Sequence, residues 1–156
     1  MTKYRVLNSV ELEALEDDFV KFLVLNGITA QDWISIKESQ PLVTNGLIEA
    51  FSDVVFEGII RKTEYLEYAD KSGLKVFKCV DEKITLIGLD HLSSEDIDYN
   101  DFEKLSIAIA NRPEAFTIYK TSKPYNPNRG TEIFKMISFG AVATDSKLFE
   151  LLEKLC

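Results

Sequence analysis

Leu74–Asp90, LKVFKCVDEKITLIGLD, is the stretch whose reading decides the fold. An apolar, β-branched run meets the polar pair Asp81 and Glu82, and a second apolar run follows from Lys83 to Leu89, which is the pattern of a β-hairpin. With the loop centred on Asp81 and Glu82, Cys79 falls opposite Ile84 and Phe77 opposite Leu86. Those four side chains then share one face of the sheet, with Lys78 and Thr85 on the other. Immediately upstream, Lys62–Tyr68 reads as a further strand, turned into the hairpin by Asp70, Lys71, Ser72 and Gly73. The middle of the chain is therefore an antiparallel meander.

Outside this region the hydrophobic spacing lengthens to that of helices. Asn8 and Glu11 have the spacing of a capping box, and Val10, Leu12, Leu15, Phe19, Phe22 and Leu23 recur at helical intervals until Gly27, which predicts one helix over residues 9–26. Its acids, Glu11, Glu13, Glu16, Asp17 and Asp18, lie in the first half, where the helix dipole favours them. Thr29 and Asp32 repeat the cap before a short helix, and Pro41 opens a third, on which Leu47, Phe51, Val54 and Val55 form one stripe. Trp33 is read as a core residue in preference to an exposed anchor. Downstream of the meander, Asp101 caps a helix carrying Phe102, Leu105 and Ile109. Ala115–Thr121 reads as a fourth strand. Asn126 and Pro127 are read as N-cap and first residue of a helix ending at Gly140, and Asp145 caps a last helix marked by Leu148, Leu151, Leu152 and Leu155.

The expected fold class is α+β: a helical N-terminal region, an antiparallel meander of three to four strands, and C-terminal helices packing on one face of the sheet. With 156 residues, 46% of them hydrophobic, the chain is long enough to bury a core without metal or disulfide staples, and it is read as one domain over 1–156. A net charge of −8 argues against nucleic acid as a partner. No apolar stretch approaches a bilayer span or a signal peptide. Two cysteines, Cys79 and Cys156, make no disulfide framework, which fits a reducing cytoplasm.

Several segments together, VELEALEDDFVKFLVLNGI at 10–28, DW at 32–33, IEAFSDVVFE at 48–57, YLE at 65–67, GTEIFKM at 130–136 and DSKLFELL at 145–152, resemble a family of small proteins from Bacteroidota with no established activity. The resemblance covers nearly the whole chain. It implies a bacterial cytoplasmic origin and carries over no catalytic residue.

Candidate chemistry is sparse. The sole histidine, His91, would need a nucleophile in reach, such as Ser93, Ser94 or Cys79, to act as a general base. Asp96, Asp98 and Asn100 begin like a calcium loop, but the sixth position is Asp101 where Gly is needed and the twelfth is Ile107 where Glu is needed. The short phosphate, dinucleotide, hydrolase, metalloprotease and redox motifs do not occur. No cofactor and no metal are expected.

The basic stretch from Arg112 to Arg129 stands out, because it sets Arg112, Lys120, Lys123 and Arg129 against Glu114 alone. Lys120, Lys123, Tyr125, Asn126 and Arg129 lead into a helix start, whose free N–H groups together with flanking cations suit an anion. The competing reading is that these cations balance the acidic first helix around Glu13, Asp17 and Asp18. On this basis the chain is expected to be a non-catalytic interaction or regulatory module with a protein partner or a second copy of itself. A small enzyme or binder of a phosphorylated ligand at the loop 120–130 is the alternative.

Overall fold

A computed structural model describes residues 1–80, 82–92 and 97–156. Asp81, at the centre of the expected hairpin loop, and Ser93, Ser94 and Asp96 lie outside the described residues. The chain divides into two compact units, Met1–Ile59 and Ile60–Cys156.

The first unit is helical, as expected, but residues 9–26 form two helices, α1 (Ser9–Ala14) and α2 (Glu16–Leu25). Leu15 breaks them at φ −107° and ψ 23°, its N–H shared between the carbonyls of Glu11 and Leu12. The break gives Glu16, Asp17 and Asp18 a helix start of their own, where three carboxylates meet the positive end of a dipole. Gly27, at φ +75°, ends α2 in a conformation that side chains disfavour. Thr29 and Asp32 form the expected box at the start of α3 (Ala30–Ser39), and Pro41 opens α4 (Pro41–Lys62). Phe19 sits between Phe51, at 4.9 Å between ring centroids, and Trp33, edge-on at 5.1 Å. The expected stripe on α4 is partly displaced. Phe51 is buried and Val54 exposed, while Ser52 is buried with its hydroxyl accepting the Leu7 N–H and donating to the Ile48 carbonyl. The hydroxyl thereby satisfies a backbone group that an apolar side chain would have left unpaired.

The Asn8 box is reinforced by a fork. Arg5 donates to both oxygens of Glu11 at 2.8 Å, and Glu11 also accepts the Asn8 N–H. These donors hold the Glu11 carboxyl down to about 2. A carboxyl depressed on folding adds stability above its unfolded value near 4.3, and that stability is lost as pH falls from there through 2. NMR titration is expected to show Glu11 and the Asn8 amide moving together near pH 2. In Arg5→Ala the midpoint is expected to rise toward 4; an unchanged midpoint would mean the fork does not form.

The second unit holds a five-stranded antiparallel sheet in the order β4-β3-β2-β1-β5: β1 (Tyr65–Asp70), β2 (Gly73–Lys78), β3 (Lys83–His91), β4 (Phe116–Pro124) and β5 (Val142–Thr144). The meander has the register read from the sequence, with Phe77 opposite Leu86 and Lys78 opposite Thr85. The fold class is thus α+β, and the sheet gains an edge strand, β5, that three residues after a glycine do not announce. Asp70 makes the turn into β2, its Oδ1 accepting from the Ser72 N–H, the Ser72 hydroxyl and the Gly73 N–H.

Both faces of this sheet are covered, where one was expected. Leu74, Val76, Ile87 and Leu89 on one face pack with Leu105 and Ile109 of α5 (Phe102–Asn111) and with Leu148, Phe149 and Leu152 of α7 (Lys147–Glu153). The opposite parity carries Leu66, Cys79 and Ile84, also buried, on the side of α6 (Arg129–Ser138) and its buried Ile133. A hairpin with apolar residues at both parities needs cover on both sides, so the C-terminal helices divide between the faces. The start of α6 is also later than expected. Asn128, extended at φ −156° and ψ 171°, is the N-cap, its side chain accepting the Thr131 N–H, while Asn126 and Pro127 stay in the connection.

Cys79 is fully buried, and burial pushes its thiol up to about 11, whereas Cys156 is exposed. A thiol reagent is expected to label Cys156 within minutes and Cys79 only as fast as the sheet opens, since the thiolate is the reactive form. Equal rapid labelling of the two would mean that this face of the hairpin is not buried.

Candidate functional site

The basic stretch singled out in the sequence becomes the second half of β4, the connection 125–128 and the first turn of α6. Lys120 projects to the α7 side and pairs with Glu153 at 3.0 Å. Lys123, of opposite parity, pairs with Glu132 of α6 at 2.8 Å. The other oxygen of Glu132 accepts the Asn126 N–H at 3.2 Å. Burial alone raises the Glu132 carboxyl, but the Lys123 hydrogen bond and the Asn126 N–H outweigh it and hold the group below its ordinary range. A carboxylate of the protein itself therefore sits against Lys123 and Asn126.

Arg129 is half-buried and turned inward. Its Nε donates to the Cys79 carbonyl at 2.9 Å, Nη1 to the Ile60 carbonyl at 2.9 Å and Nη2 to the Thr63 carbonyl at 2.5 Å. One guanidinium thus joins the end of α4, the residue after β2 and the start of α6. Carbonyls at a helix C-terminus have no partner within the helix, and a planar cation with several donors suits them. Tyr125 is half-buried, with its hydroxyl oxygen shut away from solvent. The structure brings Lys123, Asn126 and Glu132 together; it sends Lys120 to the other face and Arg129 to the backbone. Lys123 and Lys120 find acids within the second unit, Glu132 and Glu153. No spacing in the sequence reveals those partners, because both pairs form between elements.

His91 stacks on Phe116 with ring centroids 5.0 Å apart. The register puts it at the Gly73 end of the hairpin and Cys79 at the Ile84 end, seven residues of strand away, roughly 20 Å. They cannot act as one acid–base and nucleophile pair. The Asp98 carboxylate accepts the Asn100 N–H, and Asp101 caps α5 through the Lys104 N–H. Among the described residues no cluster of three or more His, Cys, Asp or Glu converges to hold a metal ion, and no described helix is long and apolar enough to cross a membrane.

A different surface was not singled out in the sequence. Tyr68 of β1, Lys75 and Phe77 of β2, Met136 of α6, Phe139 and Ala141 line a shallow groove of about 280 Å³ on the α6 side of the sheet. Tyr68 pairs directly with Lys75, so both side chains leave the same face. Phe139 is the C-cap of α6 and stands 82% exposed, just before Gly140 turns the chain toward β5 at φ +107°. A Phe directly before a helix-ending Gly was the available signal, but it does not tell which way the ring points.

DUF6495, a family of unknown function, is the family whose profile matches, and it does so over residues 1–156. No curated protein and no solved structure matches the chain.

Proposed function

We propose, for a chain that belongs to DUF6495 along its whole length, the role of a non-catalytic interaction or regulatory module. The observation that carries this reading is the internal commitment of the basic stretch. Lys123 and Asn126 hold Glu132, Lys120 holds Glu153, and Arg129 holds three backbone carbonyls. An incoming phosphate would have to displace a carboxylate already in place, from a surface whose net charge is −8. Exposed apolar side chains, Phe139 at 82% among them, offer contact area instead.

The test is a titration of phosphate, ATP and a short oligonucleotide into isotopically labelled protein. No saturable shift is expected at residues 123–131. A saturable shift confined to that loop, weakened by salt and abolished by Lys123→Ala, would overturn the module in favour of a site for a phosphorylated ligand.

A further inference from the structure

The groove beside α6 carries one cation, Lys75, among apolar side chains. Lys3, Lys104, Lys120 and Lys123 each have a carboxylate within 4 Å, whereas Lys75 is exposed and acts on the Asp70 carboxylate as a nearby charge that helps to lower it. Asp70, two residues beyond Tyr68 on the same face, is already committed to the turn through Ser72 and Gly73. Around Lys75, Phe77 and Met136 are half-buried and form the inner part of the groove, while Tyr68, 38% exposed, and Phe139 form its outer part.

We propose that this groove docks a peptide segment of a partner protein that presents an apolar or aromatic side chain next to a single carboxylate, the side chain lying against Phe77, Met136 and Phe139 and the carboxylate pairing with Lys75. The proposal rests on the interaction-module reading and names the chemistry of its partner. Size limits the occupant, because 280 Å³ lies just below the range of sites that enclose a small-molecule ligand. One side chain is a closer fit. Charge limits it further. An exposed cation at the rim of an apolar groove, with the turn carboxylate Asp70 near it, favours one further anionic group, while the net charge of −8 disfavours a polyacidic segment. Aromatic and thioether side chains suit such a contact, since they supply large area at low ordering cost.

Three capped tetrapeptides decide the matter: acetyl-Gly-Phe-Asp-Gly-amide, its Asn counterpart and its Lys counterpart, each titrated into labelled protein, with inorganic phosphate as a further probe. The Asp peptide is expected to give saturable shifts at residues 68, 75, 77, 136 and 139–141. The Asn peptide should bind there about three- to fivefold more weakly, the range that an exposed ion pair supports, and the Lys peptide more weakly still. Lys75→Gln should remove the difference between Asp and Asn, and Phe139→Ser should weaken both; each replaces an exposed side chain, and an unchanged amide spectrum elsewhere verifies the fold. Absence of saturable shifts in the groove with the Asp peptide, or discrimination between Asp and Asn that survives Lys75→Gln, would overturn the proposal. Phosphate shifts at residues 123–131 would overturn the module reading itself, and the two failures are told apart by the residues that move.

Discussion

Replacing Arg129 by Ala is expected to destabilise the sheet unit by about 3 kcal/mol, a large effect for a half-buried cation. Each of the three accepting carbonyls gains a hydrogen bond from a charged donor, of the class that contributes about 1.5–3 kcal/mol before water competes for the vacated site. Water reaches a half-buried position and recovers part of the loss, which keeps the total below the sum of three bonds. From the sequence Arg129 is expected to flank an anion site at a helix start, and the structure turns it inward instead, its donors pointing at backbone and not at solvent. Arg129→Lys is expected to recover less than half, since an ammonium lacks the planar fork that spans three acceptors. Cys79 is the natural reporter, being buried in the same unit and adjacent in sequence to the end of β2. Its labelling in the native state should accelerate about a hundredfold in Arg129→Ala, following the opening equilibrium when reclosing is fast. Unchanged labelling would mean that these hydrogen bonds do not hold the unit closed. Trp33 lies in the first unit, so its fluorescence provides a separate record of the helices.

Gly73→Ala is expected to cost about 3 kcal/mol or more, for a different reason. A Cβ at this position would stand 2.0 Å from the carbonyl oxygen of Leu89 and 3.0 Å from its carbonyl carbon. Those are backbone atoms of the neighbouring strand, so relief requires β2 and β3 to part where Gly73 pairs with Asp90. Forcing added bulk into a packed site costs roughly 1–3 kcal/mol when side chains can adjust, and more when only the backbone can. Gly88 provides the contrast. Its added Cβ would meet the ring of Tyr119 at 2.0 Å, but that is the far end of a side chain able to swing away. Gly88→Ala should therefore cost less than Gly73→Ala. Cys79 labelling and amide exchange at Leu89 and Asp90 measure both, and equal effects of the two substitutions would show that the strand contact at Gly73 is not the limiting one.

Much of this architecture follows from local chemistry that a sequence displays openly. The caps at Asn8, Thr29 and Asp101, the stop at Gly27, the Asp70–Gly73 turn and the pairing of Phe77 with Leu86 depend on residues close together in the chain, or on alternation that a two-residue period makes unambiguous. The break at Leu15 escaped because the apolar spacing continues through it, and periodicity records which side chains face inward without recording whether the backbone runs on unbroken. The fifth strand escaped because three residues hold too little pattern, and its pairing with β1 spans most of the second unit.

The candidate site divides in the same way. That residues 112–130 are basic, and that the hairpin carries apolar side chains at both parities, is determined by the sequence alone. What those features face was decided by tertiary structure. Lys123 meets Glu132 and Arg129 meets the carbonyls of Cys79, Ile60 and Thr63 only because α6 lies on the face opposite α5 and α7. Lys75 lines the groove only because its strand neighbour is Tyr68, and the Asp70 carboxylate near it is held by its turn. Charge and polarity belong to a residue wherever it is placed. Whether a charge is satisfied depends on the few ångströms around it, and those are set by long-range packing between elements that no local spacing encodes.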